Sequence, residues 1–122
     1  MRFLLVEDNP VLAEGLSWAL NDLGHQVSVV GLGRQAIGMI QHQLPDAVIL
    51  DVSLPDIDGV QVAEFIRRDH PDLPIVFASG HDGDQPRIIA AVKDPATAIL
   101  RKPYATEALL ETVAKLIAGQ RR

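Results

Sequence analysis

The chain has 122 residues, 48% of them apolar and 22% charged, which suits one globular domain with a core of its own. It holds no cysteine, so disulfides, cysteine–zinc sites and thiol catalysis are excluded. A net charge of −5 argues against nucleic-acid binding, and no apolar run approaches the ~18 residues of a membrane span, so a soluble cytoplasmic protein is expected.

Short apolar runs alternate with longer amphipathic stretches. The first run, Phe3 to Val6, ends in Glu7-Asp8. Asn9-Pro10 then reads as an N-cap followed by proline at the first helical position. Leu12, Leu16, Ala19, Leu20 and Leu23 form that helix's apolar stripe, and Gly24 sits where a C′ residue belongs. A second stripe on the same helix carries Val11, Gly15 and Trp18 at i, i+4 and i+7. The second and third runs are Val27 to Val30 and Ala47 to Leu50, the latter ending in Asp51. Asp58, with Gln61 three residues on, opens the third helix in the manner of a capping box. Ile75 to Ala78 is the fourth run, followed by Ser79-Gly80. The next helix opens at Pro86 and is held to about two turns by Pro95. Thr97 to Leu100 completes the set of runs, with Lys102-Pro103 behind it. Leu109, Leu110, Val113, Leu116 and Ile117 then recur at the spacing of a last amphipathic helix.

The runs are continuous rather than alternating, as expected of parallel strands covered on both faces. Five strand-and-helix pairs predict an α/β fold over residues 1–122, a single domain. Its doubly wound five-stranded parallel sheet takes the order 2-1-3-4-5. Such sheets place ligands outside the carboxyl ends of their strands. Those ends carry Glu7 and Asp8, Asp51, Ser79 and Lys102. Two like charges ~4 Å apart repel by about 4 kcal/mol at an effective dielectric near 20. Three carboxylates on one rim therefore call for a cation, and oxygen-only ligands suit Mg²⁺.

The set Glu7-Asp8, Asp51 with Pro55 and Gly59 behind it, Ser79-Gly80 and Lys102-Pro103 resembles the response-regulator receiver family of two-component signalling. The likeness runs from Arg2 to about Ala118 and implies that family's flavodoxin-like fold. It implies Asp51 as phosphoacceptor, with Glu7, Asp8, Asp51 and the backbone carbonyl of Ser53 holding Mg²⁺. Ser79 would hydrogen-bond one phosphoryl oxygen, Lys102 would pair with another, and the Lys102-Pro103 bond would be cis. The phosphoryl donor would be a histidine kinase or a histidine phosphotransfer protein. The chain would then be a phosphorelay module whose chemistry stops at its own phosphorylation and dephosphorylation, not an enzyme acting on other substrates.

Gly80 would leave room for the phosphoryl group. His81, two residues beyond Ser79, would flank with Ser53 the path of attacking water. Phe77-Ala78-Ser79-Gly80-His81 is also similar to the Phe-Ala-Thr-Gly-Tyr signature of a subgroup of mostly single-domain regulators. Many receivers carry an aromatic three residues before the strand-five lysine, where this chain has Ile99. The conformational signal is therefore expected to leave through Gly80 to Lys93. Val11, Gly15 and Trp18, beside the acid pair, form a candidate docking patch; the plainer reading is a tryptophan lying flat on the domain's side. Two other chemistries compete. A phosphatase of the haloacid dehalogenase type would need a second aspartate where Ser53 stands. A flavin carrier would need aromatic walls, and aromatics are 4% of the chain.

Overall fold

The five apolar runs become parallel strands β1 (Arg2–Val6), β2 (Gln26–Val30), β3 (Ala47–Asp51), β4 (Ile75–Ser79) and β5 (Thr97–Arg101). A computed structural model describes residues 1–80 and 85–120. Helices α1 (Pro10–Asp22), α2 (Gly33–His42), α3 (Gly59–Asp69), α4 (Pro86–Ala91) and α5 (Thr106–Gln120) alternate with the strands. The strands hydrogen-bond in the order β2-β1-β3-β4-β5, as expected. The chain winds outward in opposite directions from β1 and β3, which opens a crevice between their carboxyl ends.

Strand side chains alternate faces, so an unbroken apolar run feeds two cores at once. Leu4, Val6, Val48, Leu50, Ile75 and Phe77 pack toward α2, α3 and α4 with Ile40, Val62, Ile66 and Ile88. Phe3, Leu5, Ala47, Ile49 and Val76 pack toward α1 and α5 with Ala13, Leu20, Leu109, Val113 and Leu116. Ile99 lies against the first core, opposite Phe77 in the β4–β5 register, and is half-buried. Edge strand β2 is only half covered, which the continuous run Val27 to Val30 does not reveal.

Local signals place the helix ends. The Asn9 side chain accepts the amides of Val11 and Leu12 at 3.0 and 3.3 Å, and Gly24 beyond the helix has φ +92°, a left-handed value that favours glycine. The apolar stripe of α1 needs correction. Ala13 and Leu20 are buried and Leu16 is half-buried, whereas Leu12 is 51% and Leu23 57% exposed. The helix presents an i, i+3, i+7 face to the sheet and α5, and Leu12, about 100° round the helix from Ala13, falls on the neighbouring face. At the start of α3, Asp58 accepts the Val60 amide at 3.4 Å and also binds Arg87 of α4 through Nε at 2.8 Å. Helix α4 spans six residues, in keeping with the limit set by its flanking prolines.

One long-range tie has no counterpart in the sequence pattern. Arg67 of α3 donates to the carbonyls of Leu73 and His70 at 2.5 and 3.2 Å, and to Thr97 Oγ1 at 2.7 Å. It thereby joins the end of α3 to the starts of β4 and β5.

Candidate functional site

Each site residue is delivered by a strand end. Glu7 follows β1, and its amide donates to Val30 O at 3.0 Å, so β1's ladder carries on into the acid pair. Asp51 closes β3 and Ser79 closes β4. Lys102 follows β5, its amide donating to Ser79 O at 2.7 Å, and the Lys102-Pro103 bond is cis, in line with the expectation from the family resemblance.

These residues meet. Lys102 Nζ lies 2.8 Å from Glu7 Oε1 and 3.0 Å from Asp51 Oδ2. The other Asp51 oxygen accepts the Ser53 amide at 2.9 Å, and the other Glu7 oxygen accepts the Asn9 amide at 3.2 Å. Asn9 was legible as a helix cap, but its amide's service to Glu7 was not. One carboxylate oxygen from each of Glu7, Asp8 and Asp51 lies within 4.8 Å of the others. Glu7 and Asp51 are buried and Asp8 is exposed, so the cluster opens to solvent on one side.

Three carboxylates face one ammonium. Burial pushes the Glu7 carboxyl above its ordinary range; Lys102 opposes that push and the Asp51 charge adds to it. For Lys102, burial pulls the ammonium down, and the bonds to Glu7 and Asp51 more than reverse it, leaving the pKa raised. One ammonium leaves the acids in excess. An all-oxygen donor set with surplus negative charge and one open side fits a hard divalent cation.

The remaining expectations divide. Ser79 is buried at the β4 end, and Gly80 beside it is exposed, with open space where a β-carbon would stand. His81 lies outside the described residues, as does part of the expected Gly80 to Lys93 route. Tyr104 is half-buried against the α1/α5 core, and burial pushes its hydroxyl up to about 12, so it stays neutral. Val11 and Gly15 line a groove of about 740 Å³ with Leu12, Leu16, Lys102 and Tyr104. Trp18, 71% exposed, does not share it. It flanks a separate depression toward β2, with Pro10, Ser17 and Val29. The three residues share a helix stripe but not one surface.

A family model of the response regulator receiver domain matches residues 3–114. The luminescence regulatory protein LuxO of Vibrio campbellii is 35% identical over 109 residues, 89% of this chain and 24% of LuxO. The chain thus spans about a quarter of the length of that curated relative. Among solved structures, the signal receiver domain of a LuxO repressor protein from Vibrio parahaemolyticus superposes with a TM-score of 0.85 at 30% identity, covering 98% of this chain and 92% of that one. The receiver domain of the sensor histidine kinase PA1611 from Pseudomonas aeruginosa, which has a magnesium ion coordinated in its active-site cleft, gives a TM-score of 0.83 at 29% identity, covering 96% of this chain and 97% of that one. No comparison supports the phosphatase alternative. With strand order, acid cluster and family match in agreement, the chain belongs to the response regulator receiver domains of two-component signalling.

Proposed function

We propose that this receiver takes a phosphoryl group on Asp51 from a histidine kinase or histidine phosphotransfer protein, and that the charge change drives a conformational switch. The observation that carries this reading is Lys102 Nζ held between Asp51 Oδ2 and Glu7 Oε1, with Asp8 completing the acid cluster. In the reaction an Asp51 oxygen forms a bond to phosphorus as the donor's P–N bond breaks. Glu7, Asp8, Asp51 and the Ser53 carbonyl would hold Mg²⁺, whose charge, when it is bound, offsets these acids and the phosphoryl oxygens. The magnesium reported in the PA1611 receiver supports that assignment. Lys102 would turn from Asp51 to a phosphoryl oxygen, and the Ser79 hydroxyl at the β4 end would bind another. Gly80 would leave the phosphoryl group room beside Ser79, while the Ser53 and His81 side chains would govern access of hydrolytic water, and Pro103 would fix the turn behind Lys102. A cytoplasmic place follows from such a donor; no helix among the described residues is long and apolar enough to cross a membrane.

Intact mass spectrometry tests this directly. Acetyl phosphate with Mg²⁺ should add one phosphoryl group, and excess EDTA should abolish the gain. A chain that stays unlabelled with Mg²⁺, or labels equally in EDTA, overturns the reading.

For the donor protein we propose the groove beside Lys102 as the docking site. Its α1 wall, Val11, Leu12, Gly15 and Leu16, is apolar, and Glu7 and Lys102 also line it. A helix presenting phosphohistidine could lie along α1 with the imidazole toward Asp51. Val11→Glu should slow transfer from the phosphorylated donor by about tenfold or more, a loss of about 1.4 kcal/mol. Labelling by acetyl phosphate should stay close to the wild-type rate. Trp18→Ala, outside the groove, should matter less than Val11→Glu, and equal losses with both donors would assign Val11 to the fold instead.

A further inference from the structure

Helix α2 begins without a cap of its own. Leu32 precedes it in an extended conformation and offers no side-chain hydrogen bond. Its first two amides are satisfied from elsewhere: Gly33 N–H donates to Asp56 Oδ1 at 2.9 Å, and Arg34 N–H to Asp56 Oδ2 at 3.1 Å. Asp56 belongs to the connection between β3 and α3, five residues beyond the phosphoacceptor and three beyond Ser53. A carboxylate with one oxygen on each of two free amides is a strong attachment at a helix N-terminus.

The contact is tight as well as polar. A β-carbon on Gly33 would stand 2.6 Å from Ile57 Cγ1 and 2.7 Å from Val62 Cγ2, so α2 presses directly on the residue after Asp56 and on α3. The two ends of the same connection are fixed by other bonds. Ser53 N–H donates to Asp51 Oδ1 at 2.9 Å, and Gly59 N–H donates to Val52 O at 3.0 Å. Between those ends Asp56 fastens the connection to α2, and Asp58, next to the start of α3, ties it to Arg87 of α4.

We infer that Asp56 is a positioning residue for the metal site: by fastening the β3–α3 connection to the N-terminus of α2, it fixes where the Ser53 carbonyl points. The inference rests on the proposed role of that carbonyl as a Mg²⁺ ligand. Asp56 is not itself one of the proposed ligands; it acts through Leu54 and Pro55, the two residues between it and Ser53. Groups that orient metal ligands from behind typically change metal affinity 10–100-fold when they are removed.

Mg²⁺ binding to the full chain, measured by isothermal titration calorimetry, is the test, read beside urea unfolding of the same variants. Asp56→Ala should weaken Mg²⁺ binding about tenfold. Asp56→Asn, which keeps one acceptor oxygen, should recover a substantial part of that loss. Gln41→Gly, an exposed change near the other end of α2, should lower stability and leave Mg²⁺ affinity unchanged. Wild-type affinity in Asp56→Ala, or an equal affinity loss in Gln41→Gly, would make Asp56 a helix cap and nothing more. If the wild type itself bound no Mg²⁺, the reading of the site would fail and this inference with it.

Discussion

Asp51→Asn should take up no phosphoryl group from acetyl phosphate under conditions that label the wild type. The amide matches the carboxylate in shape but is not a nucleophile toward phosphorus. Its oxygen can still accept the Ser53 amide, so the β3 end should keep its course. The variant should also alter the pH dependence of stability in EDTA. The raised pKa of Glu7 means that its ionised form opposes folding at neutral pH. That penalty disappears as pH falls through the folded-state value and is gone below the ordinary carboxyl range. Asp51 is one of the causes of the rise, so its neutralisation should shrink this portion of the pH profile. Urea midpoints across the acidic range, wild type against Asp51→Asn, measure the difference. A labelled Asp51→Asn chain would move the chemistry to another carboxylate, with Asp8 the first to examine.

The site was legible because topology makes it periodic. Each apolar run ended at its strand's last residue or one short of it, and a parallel sheet lines up all those ends on one rim, so Glu7, Asp8, Asp51, Ser79 and Lys102 could be grouped without coordinates. Capping residues were legible for a similar reason: Asn9 and Asp58 act on amides two or three residues away. What stayed hidden was every decision made across the fold. Asp56 serves amides 22 and 23 residues earlier, and Arg67 reaches Thr97 30 residues later. No spacing rule announces such partners. Helical periodicity also fixed only which residues of α1 share a stripe. Whether Leu12 or Ala13 meets the sheet depends on how the helix is rotated by its neighbours, and the two differ by one position in sequence and by burial in the fold. Trp18 parts from Val11 and Gly15 for the same reason, since the curved surface between α1, α5 and β2 splits one stripe between two depressions.

Gly59→Ala should be among the most damaging single-methyl changes in the chain. Gly59 is the first residue of α3, and its amide donates to Val52 O at 3.0 Å, which brings the helix start down onto the end of β3. A β-carbon there would overlap the carbonyl oxygen of Asp51 and stand 2.9 Å from Val52 Cα. Both obstacles are backbone, and that backbone cannot yield easily. Asp51 pairs with Ala78 in the sheet, and Val52 N–H donates to Ala78 O at 3.2 Å. The helix must therefore retreat, straining the Gly59–Val52 bond and the packing of Val60 and Val62 beneath it. Overpacking of this kind destabilises by about 1–3 kcal/mol. With a urea slope of roughly 1–3 kcal/mol per molar, the midpoint should fall by about 1 M. The same retreat should disturb the β3–α3 connection and slow acetyl phosphate labelling of Asp51. Gly38→Ala in α2 is the matched control, because nothing lies within 4 Å of its added methyl. There the better helix propensity of alanine should raise stability by up to about 1 kcal/mol. One methyl group thus carries opposite signs at two helical glycines, and the urea midpoints of the pair measure how firmly α3 is seated against the phosphoacceptor strand. If Gly59→Ala unfolds at the wild-type midpoint and labels at the wild-type rate, α3 is free to shift, and the close seating of Gly59 on Asp51 does not constrain the site.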